Sequence, residues 1–584
     1  MNSILSGSLN NVSILKNKRK LIEELEPKAQ IEIKLLILTG STIAELKDFL
    51  YLFLLNNGIK ANILESTYNS YYEDIVFNNL IEKHKPDWVY VHTTNKNLIR
   101  WPDPGMNKNE VESIYKDEVD KFKLLMSKLN EFGIKAIVNN FEYRVERVFG
   151  NFDAYSDFGY VNYVNRLNLE MCKIISEYGN IHINDIMYIS SSLGLNKWFS
   201  RSYWHSFKYA VAPQAMPHLA RSLSNIIKAS YGMSKKVLVC DLDNTLWGGV
   251  VGDDGYNNLS IGPNGPLSES FSELQSYINV LQKRGIVLAV NSKNESSLAK
   301  TGFDNEFCLL NLKDFAVFKA NWNQKSINIK EIEKEINIRH DAFVFIDDSK
   351  YEIEQIKSVL PDVVSFTYEK SPTEIIDSLV SEGVFESLSL SSEDQNRTEL
   401  YQARSRFEGD VISIDEYLAT LKMRSSFSNI NKTNSVRVEQ LINKTNQFNP
   451  TTARVSSREL DRYGERNFVV SLEDIYGNSG IVSVLLYDVF NNRAHIDIWV
   501  MSCRVFNRKL ENAIFDEFIK TCIRNDVSEV SAKYIKSKKN GYVRDLYTNL
   551  GFTLVKSSGY EEEYLMKISD YEARNELIEV IYEA

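Results

Sequence analysis

The pattern of apolar and polar positions divides the chain into three folded parts. Residues 31–42 read I-E-I-K-L-L-I-L-T-G-S-T, a strand-like pattern, and an apolar helical pattern follows to residue 57. Further strand patterns occur at 61–65, 88–92 and 135–139, with helical stretches between them. This alternation is typical of an α/β fold. We therefore predict an α/β domain over residues 31–232, preceded by a polar arm at residues 1–30.

The same alternation begins again at residue 235. Strand patterns at 235–241, 286–291, 307–310 and 342–347 are separated by helical patterns at 268–284, from 295, and at 326–336. A parallel, doubly wound sheet follows from that order. We predict a second α/β domain over residues 233–386 and a polar linker over residues 387–410.

The third part has a different order of elements. Strand patterns at 467–471, 481–488 and 494–501 precede a helical pattern at 509–524. Consecutive strands followed by a helix indicate an antiparallel α+β domain, here residues 411–584. Within the last strand, Ile496, Ile498 and Val500 alternate with His495, Asp497, Trp499 and Met501. This alternation predicts one core face and places Cys503 on the opposite face.

Composition restricts the function classes. The 584 residues are 43% hydrophobic and carry 68 basic against 78 acidic side chains, a net charge of −10. Such a chain is folded and has no basic field for nucleic acid. Its five cysteines are scattered and odd in number, which fits reduced thiols, and no apolar run is long enough to span a bilayer. We expect a cytoplasmic protein with neither nucleic-acid nor membrane partners.

The most informative residues are carboxylates at predicted strand ends. Asp241 and Asp243 close an apolar strand in the order D-x-D-x-T, and Asp347 with Asp348 closes another. Isolated buried carboxylates are costly unless a cation or a reacting group shares their site. Because parallel strands end at one sheet edge, these side chains predict phosphoryl transfer with Mg²⁺.

With Ser292 and Lys325, these carboxylates resemble the constellation of the haloacid dehalogenase (HAD) superfamily. The resemblance implies that Asp241 is the nucleophile and Asp243 the acid and base. It also implies an Mg²⁺ site at Asp241, Asp243, Asp347 and Asp348, and a phosphate site at Ser292, Lys293 and Lys325. Lys319, six residues before Lys325, is an alternative for the latter. The gaps of 51 and 33 residues around Ser292 hold no full cap domain, so we expect an open site suited to a large or carrier-bound substrate.

Longer strings are similar to the FkbH-like family within that superfamily. They are D-L-D-N-T-L-W-G-G-V-V-G-D-D-G (241–255), N-S-K-N-E (291–295), A-N-W-N-Q-K (320–325), F-V-F-I-D-D (343–348), L-I-N-K-T-N-Q-F-N-P-T-T (441–452) and V-M-S-C-R-V-F-N-R-K-L-E (500–511). The resemblance runs from about residue 30 onward. It implies a capless, Rossmann-like HAD domain between an N-terminal flavodoxin- or SGNH-like α/β domain and a C-terminal GNAT-like α+β domain.

The resemblance also implies an activity. Such proteins take 1,3-bisphosphoglycerate, transfer its glyceryl unit to a thiol, remove the remaining phosphate and load an acyl carrier protein. Two alternatives stay open. One is an N- or O-acyltransferase with phosphatase activity on phosphosugars in capsule or lipopolysaccharide assembly; the other is a non-enzymatic scaffold.

The thiol candidate is Cys503, since Arg504 and Arg508 beside it favour a thiolate and suit a pantetheine phosphate. An inert packing role is the alternative. Asn446 and Gln447 belong to a run of hydrogen-bonding side chains that suits pantetheine amides or, equally, a loop. Asn540 lies in a family-like segment, and Tyr547 stands where related acetyltransferases carry an acid, although a tyrosine there also fits packing.

Three features depart from the expected patterns. After Asp348, the family's Asn-Pro and a following Arg are replaced by Ser349, Lys350 and Ile353, which puts substrate contacts in doubt. Asn507 stands in place of a glycine. In the first domain, Ser41 and His205 faintly resemble an SGNH hydrolase, but S-Y-W-H lacks the acid that would orient the imidazole, so a scaffold or docking role is favoured.

Overall fold

A computed structural model describes residues 4–390, 418–475, 477–502, 505–506, 508–537 and 539–582. The chain separates into two compact units, the first comprising residues 1–229 with 381–388 and the second residues 230–380 with 389–584. The first unit holds one sheet and the second holds two. Most of the predicted linker, residues 391–410, lies outside the described residues.

The first unit is built on a parallel sheet in the order β2-β1-β3-β4-β5. Its strands are β1 (Ile31–Thr39), β2 (Ile59–Glu65), β3 (Trp88–His92), β4 (Lys135–Asn139) and β5 (Ile181–Asn184). Its helices are α1 (Asn11–Lys16), α2 (Lys18–Leu25), α3 (Ala44–Asn56), α4 (Tyr71–Val76), α5 (Leu80–His84), α6 (Lys108–Glu131), α7 (Tyr160–Ser176), α8 (Ile186–Leu193), α9 (Leu195–Trp198), α10 (Arg201–Phe207) and α11 (Met216–Ser230).

Local sequence explains these elements. All five positions of β3 are buried, as expected for a central parallel strand covered on both faces. The long helix α6 begins at a capping box in which Asn107 and Glu110 exchange side-chain and backbone hydrogen bonds. The predicted polar arm contains two short helices, α1 and α2, whose Ile14, Leu21 and Leu25 are buried.

The second unit begins with another parallel sheet, in the order β10-β9-β6-β7-β8. Its strands are β6 (Val237–Cys240), β7 (Val287–Ser292), β8 (Phe315–Ala320), β9 (Phe343–Ile346) and β10 (Val364–Phe366). Its helices are α12 (Val251–Asp254), α13 (Pro266–Lys283), α14 (Ser296–Thr301), α15 (Lys325–Ile336), α16 (Lys350–Val359) and α17 (Thr373–Glu382). Every residue of the central strand β6 is fully buried.

One predicted strand of this domain is wrong. Residues 307–310 are irregular, and the strand that follows α14 is β8, further along the chain. The side chain of Gln275 explains the difference, because its Oε1 accepts the backbone N–H groups of Leu309 (2.9 Å) and Leu310 (3.3 Å). These amides are satisfied by a buried side chain, so the apolar stretch needs no neighbouring strand.

The last sheet follows the order β16-β17-β15-β14-β13-β12-β11-β18. Its strands are β11 (Met423–Ser428), β12 (Asn467–Asp474), β13 (Gly477–Phe490), β14 (Arg493–Met501), β15 (Glu529–Ile535), β16 (Thr553–Ser557), β17 (Glu561–Lys567) and β18 (Ile578–Tyr582). The pairs β14–β15 and β11–β18 are parallel and the others antiparallel. The helices are α18 (Ser435–Lys444), α19 (Ser457–Leu460), α20 (Leu510–Arg524) and α21 (Leu546–Asn549).

Strand β14 differs from the expected pattern, in which only one of its faces is core. Ile498 and Val500 pack in the cluster that includes α18, whereas Trp499 and Met501 pack in the cluster that includes α20. Both faces of the strand are therefore core at its end, because a helix covers each side of the sheet. The strand ends at Met501, and Cys503 lies outside the described residues.

Candidate functional site

The carboxyl edge of the second sheet gathers three acidic side chains. Asp241 follows β6, and Asp347 and Asp348 follow β9, its neighbour in the sheet. One carboxylate oxygen from each of the three lies within 4.8 Å of the others. Asp241 and Asp347 are buried and Asp348 is half-buried. The edge therefore presents converging oxygen atoms at the position predicted for the reaction.

A lysine ammonium lies against two of these carboxylates. Lys325 Nζ is 2.9 Å from Asp241 Oδ1 and 2.5 Å from Asp347 Oδ2. Its helix, α15, is fixed at that position because Asn291 Nδ2 donates to the Lys325 carbonyl at 2.9 Å. Asn328 in turn donates to Asn291 Oδ1 at 2.9 Å. The end of β7 and the start of α15 thus hold the ammonium against the carboxylates.

The alternative lysine has other partners. Lys319 pairs with Glu335 and, at 3.2 Å, with Glu331, both on α15. The structure therefore brings Lys325, and not Lys319, to the carboxylates. Ser292 ends β7 and is buried, and Lys293 donates to Glu352 at 2.6 Å.

Asp243 is held separately by three donors. Its Oδ1 accepts from Trp247 Nε1 at 2.9 Å and from Val251 N at 3.1 Å, and its Oδ2 accepts from Asn294 Nδ2 at 2.8 Å. Burial raises the pKa of Asp243, while the Trp247 and Val251 donors oppose that shift. Its side chain is not among the three clustered oxygens. The carboxyl group is thus fixed beside the cluster and has a strengthened tendency to hold a proton.

The electrostatics of the cluster favour a bound cation. Burial, followed by repulsion from Asp241, raises the pKa of both Asp347 and Asp348. Burial opposes the charge of Lys325, but the neighbouring carboxylates Asp241 and Asp347 outweigh it and raise that pKa. One ammonium facing three carboxylates leaves negative charge in excess. Hard oxygen ligands at this spacing fit Mg²⁺, so the residues present suit the predicted ion.

The substitutions after Asp348 preserve this edge. Ser349 N donates to Asp347 Oδ1 at 2.8 Å, and its hydroxyl caps α16. Lys350 pairs with Glu369 on the surface, and Ile353 is buried in the core of the domain. The unusual residues therefore support the turn locally.

Sequence reasoning missed several supporting residues. Asn294 and Trp247 hold Asp243, and Thr245 links two parts of the edge by donating to Asp241 and accepting from Asp348 N at 3.1 Å. All three lie inside the family-like strings, within a few residues of the predicted site residues. The sequence shows their position in the motif, but it does not show their hydrogen-bond partners, which depend on which strands are neighbours in the sheet.

The predicted acyl and pantetheine residues each make local contacts. Cys503 and Arg504 lie outside the described residues, as does Asn507. Asn446 Oδ1 accepts from Arg454 Nη2 at 2.5 Å, and Gln447 is half-buried beside it. Arg508 forms an ion pair with the buried Asp474.

The other two residues of that set are fully buried. Asn540 bonds to the backbone around it and is part of the interior. Tyr547 packs against the rings of Phe552 and Tyr564, and burial raises its pKa. Its hydroxyl has no hydrogen-bond partner among the described residues. These surroundings are those of packing residues.

The hydrolase-like pair of the first domain does not form. Ser41 Oγ is buried and makes no hydrogen bond within the described part of the chain, whereas His205 is exposed on α10. The serine therefore has no imidazole as its base, and the scaffold or docking role of this domain stays a prediction.

Comparisons with known proteins find similarity to two parts of the chain. The profile of the FkbH N-terminal domain matches residues 36–228. A crystal structure of the N-terminal part of protein BF1531 from Bacteroides fragilis, described as containing a phosphatase domain and complexed with Mg, is 26% identical. It covers 65% of this chain and 99% of its own, with a TM-score of 0.59. The predicted resemblance to the FkbH-like HAD proteins is confirmed.

Smaller acetyltransferases also align. The ribosomal-protein-S18-alanine N-acetyltransferase from Escherichia coli is 13% identical, covering 26% of this chain and 98% of its own at a TM-score of 0.20. A GNAT-family acetyltransferase from Staphylococcus aureus Mu50 is 13% identical, covering 25% and 99% at a TM-score of 0.20. No curated relative matches the chain.

The predicted fold class is confirmed as two parallel α/β sheets, the second HAD-like and capless, followed by a mostly antiparallel α+β sheet. Between β6 and α15 the structure has α12, α13, β7, α14 and β8, without an inserted cap domain. In the described ranges, none of the helices has both the length and the apolar character needed to cross a membrane.

Proposed function

We propose that the protein is a Mg²⁺-dependent phosphatase joined to an acyltransferase, which loads a glyceryl unit onto an acyl carrier protein. The observation that carries the phosphatase assignment is the convergence of Asp241, Asp347 and Asp348 within 4.8 Å, with Lys325 beside them. A buried group with excess negative charge is suited to bind a cation and a phosphoryl group together.

The metal site of this proposal consists of Asp241, Asp347 and Asp348 with the backbone carbonyl of Asp243. The magnesium-bound relative is similar over most of its own chain, which supports the same ion here. When bound, Mg²⁺ neutralises charge on the phosphoryl oxygens and lowers the repulsion that an attacking carboxylate meets. Lys325 adds a second positive group on the same side.

The first chemical step belongs to Asp241. One carboxylate oxygen attacks phosphorus, the bond between phosphorus and the leaving oxygen breaks, and an aspartyl-phosphate forms. The leaving oxygen takes a proton from Asp243. The raised pKa of Asp243 and its three donors suit this role, because the carboxyl group is both fixed and inclined to hold a proton.

The second step returns the enzyme to its starting state. Asp243, now a carboxylate, takes a proton from water as the water oxygen attacks phosphorus. The bond between phosphorus and Asp241 breaks, and inorganic phosphate leaves. Ser292 and Lys325, at neighbouring positions of the edge, are the proposed ligands of the phosphoryl oxygens, with Lys293 at the rim.

The acyl transfer is proposed for the C-terminal domain. The Cys503 thiolate attacks the acyl carbon of 1,3-bisphosphoglycerate, the bond to the acyl phosphate breaks, and phosphate leaves. The HAD domain then hydrolyses the remaining phosphate ester. The pantetheine thiol of the carrier attacks the thioester and releases the cysteine. The capless edge supports a carrier-bound substrate, because a large partner can reach it.

The test measures both reactions on the full chain. With Mg²⁺, 1,3-bisphosphoglycerate and a carrier protein, we expect release of inorganic phosphate and a glyceryl mass increase on the carrier. Asp241→Asn is expected to leave a phosphoglyceryl product, whereas Cys503→Ala is expected to leave the carrier unmodified. A carrier loaded equally by Cys503→Ala would reject the thiol role, and absence of phosphate release from any ester or anhydride would reject the phosphatase.

A further inference from the structure

The parallel strands β14 and β15 separate before they end. They pair only between residues 493–496 and 529–532, although β14 continues to Met501 and β15 to Ile535. We call the gap between residues 497–501 and 533–535 the fork. Backbone groups that face such a gap lose their neighbouring strand and need other partners.

The chain itself fills the fork with residues 448–451, which we call the plug. Met501 N donates to the Phe448 carbonyl at 3.3 Å, and Thr451 Oγ1 donates to the Asp497 carbonyl at 3.0 Å. On the other side, Ile535 N donates to the Pro450 carbonyl at 2.8 Å. The plug thus bonds to the ends of both strands and replaces the pairing that they lose.

A buried asparagine holds the plug in place. Asn540 is fully buried, and its Nδ2 donates to the Asn449 carbonyl at 3.1 Å and to the Ile535 carbonyl at 2.8 Å. Its Oδ1 accepts from Ser537 N at 2.9 Å. One side chain therefore connects the plug to the end of β15. Displacing the plug would break these bonds as well as its bonds to β14.

Aromatic packing closes the same segment. The Phe448 ring lies 5.7 Å from the ring of Trp499, 6.0 Å from that of Phe506 and 6.4 Å from that of Tyr542. Phe448 is 2% exposed. Displacing the plug would return this ring to water in addition to breaking its hydrogen bonds.

These contacts determine what the fork accepts. An open fork of two parallel strands suits an extended ligand with amide groups, and the pantetheine arm of a carrier or of coenzyme A has that chemistry. Here the plug already takes three of the backbone groups that face the fork, the Asp497 carbonyl and the amides of Met501 and Ile535. We propose that the plug excludes pantetheine from the fork, so that this domain takes its thioester arm outside the fork and rejects free acyl-coenzyme A there.

The inference deepens the proposed function, since it concerns the ligand of the acyltransferase domain. Hydrogen exchange of the full chain tests it, with coenzyme A and pantetheine as probes at millimolar concentration. In the parent protein, we expect neither probe to change the exchange of the plug or of the Met501 and Ile535 amides. A probe-dependent change at those amides in the parent would overturn the proposal.

Thr451→Val removes the bond to Asp497 while keeping the side-chain shape. We expect the plug to exchange several-fold faster, on the scale of one lost hydrogen bond, and coenzyme A to slow that exchange again. Thr301→Val is the matched control, because it removes one threonine bond, to the Leu298 carbonyl on α14. Asn540→Ser is a second opening variant if Thr451→Val exchanges like the parent.

Two further outcomes contradict the proposal. If neither variant speeds hydrogen exchange of the plug, the plug is not held by these bonds. If a variant opens the plug but neither coenzyme A nor pantetheine slows its exchange, the plug does not control access to the fork. Phosphate release and carrier loading are measured on the same samples. Their absence would reject the proposed function and leave the exchange result interpretable by itself.

Discussion

The first and second sheets are both parallel and five-stranded, but their carboxyl edges differ in chemistry. The first edge bonds to itself: Tyr90 OH lies 2.9 Å from His92 Nδ1, and Asn184 Nδ2 donates to Asn139 Oδ1 at 2.9 Å. Asn139 also donates to the Thr93 carbonyl at 2.8 Å. Burial lowers the pKa of His92 to about 4, so this network is uncharged near neutral pH.

The second edge has charge that its own residues do not balance. Asp241, Asp347 and Asp348 face a single ammonium, that of Lys325. An uncharged edge whose polar groups bond to one another is stable without a ligand. An edge with unbalanced carboxylates is suited to bind a cation, and with it an anion, from solution. The comparison teaches that the same sheet architecture becomes a site where its buried charges are left unbalanced.

Replacing Asp241, the proposed nucleophile, should change the second edge most severely. Asp241→Asn keeps the size of the side chain but removes its charge, so the second edge becomes more like the first. We expect release of the ester phosphate to fall by about 10³-fold or more, because no other group forms the phosphoryl intermediate. The acyl phosphate should still leave, since the Cys503 step does not use Asp241. Inorganic phosphate is measured with saturating Mg²⁺ from a phosphate monoester, which carries no acyl phosphate, and the exposed Asp304→Asn is the control. Activity above roughly a tenth of the parent would assign the nucleophile elsewhere.

Removing one of the three hydrogen-bond donors to Asp243, the Asn294 side chain, should have the next largest effect on phosphatase activity. Asn294→Ala deletes the 2.8 Å bond to Oδ2 and leaves the Trp247 and Val251 donors. A less fixed acid should lower kcat by about 10- to 100-fold with little change in KM, because positioning matters in the chemical steps. Steady-state kinetics checks this, with Asn279→Ala on α13 as the control. A rise in KM at unchanged kcat would assign Asn294 to substrate binding.

Asn294 also shows what sequence can predict about this site. Asp241, Asp243, Asp347 and Asp348 were recognisable because carboxylates at the ends of apolar strands have no packing role. The partners of Asp243 were not recognisable, because an asparagine after β7 contacts it only when β6 and β7 lie side by side. Residue type identifies reactive groups, but contacts between strands identify the groups that hold them.

The fold shows the same limit. The strands β1, β3, β4 and β9 follow apolar runs and were predicted closely, since burial on both faces leaves a continuous apolar pattern. The run at 307–310 has that pattern without being a strand, because Gln275 takes its amides. Likewise, Trp499 and Met501 look like the outer face of a strand until a helix covers that side. Long-range partners decide both cases.

A buried acid beside the first edge gives a pH-dependent prediction. Glu142 Oε2 accepts from Asn95 N at 3.1 Å, and burial raises its pKa to about 7. Between the unfolded value of 4.5 and about 7, the folded state keeps a proton that the unfolded state has released. The first unit should therefore lose stability as pH rises through that window and stay at the lower level above it.

Glu142→Gln tests this sign while keeping an acceptor for Asn95. We expect the variant to be more stable than the parent by about 1–3 kcal/mol above pH 7, with the difference disappearing near pH 4.5. Hydrogen exchange of α6 and α7 reports the first unit at several pH values. The exposed Glu131→Gln is the control, and a parent whose stability rises over this window would show that the acid is ionised when folded.

The smallest expected effect comes from Ser41, whose hydroxyl is buried at the first edge without a hydrogen-bond partner among the described residues. Ser41→Ala removes an unsatisfied group, so we expect the first unit to be unchanged or more stable by up to about 1 kcal/mol. Phosphate release and carrier loading should equal those of the parent. Thermal unfolding and both assays measure this.

Ser66→Ala is the matched comparison for Ser41→Ala. Ser66 Oγ accepts a hydrogen bond from Thr39 N at 3.0 Å, at the end of β1, the strand that Ser41 follows. Its removal leaves a buried amide unpaired and should destabilise the first unit by about 1–2 kcal/mol. Stability changes of opposite sign for the two serine-to-alanine variants would show that internal hydrogen bonds stabilise this edge. Loss of carrier loading in a folded Ser41→Ala protein would instead make the first edge a second reactive site and end the contrast between the two sheets.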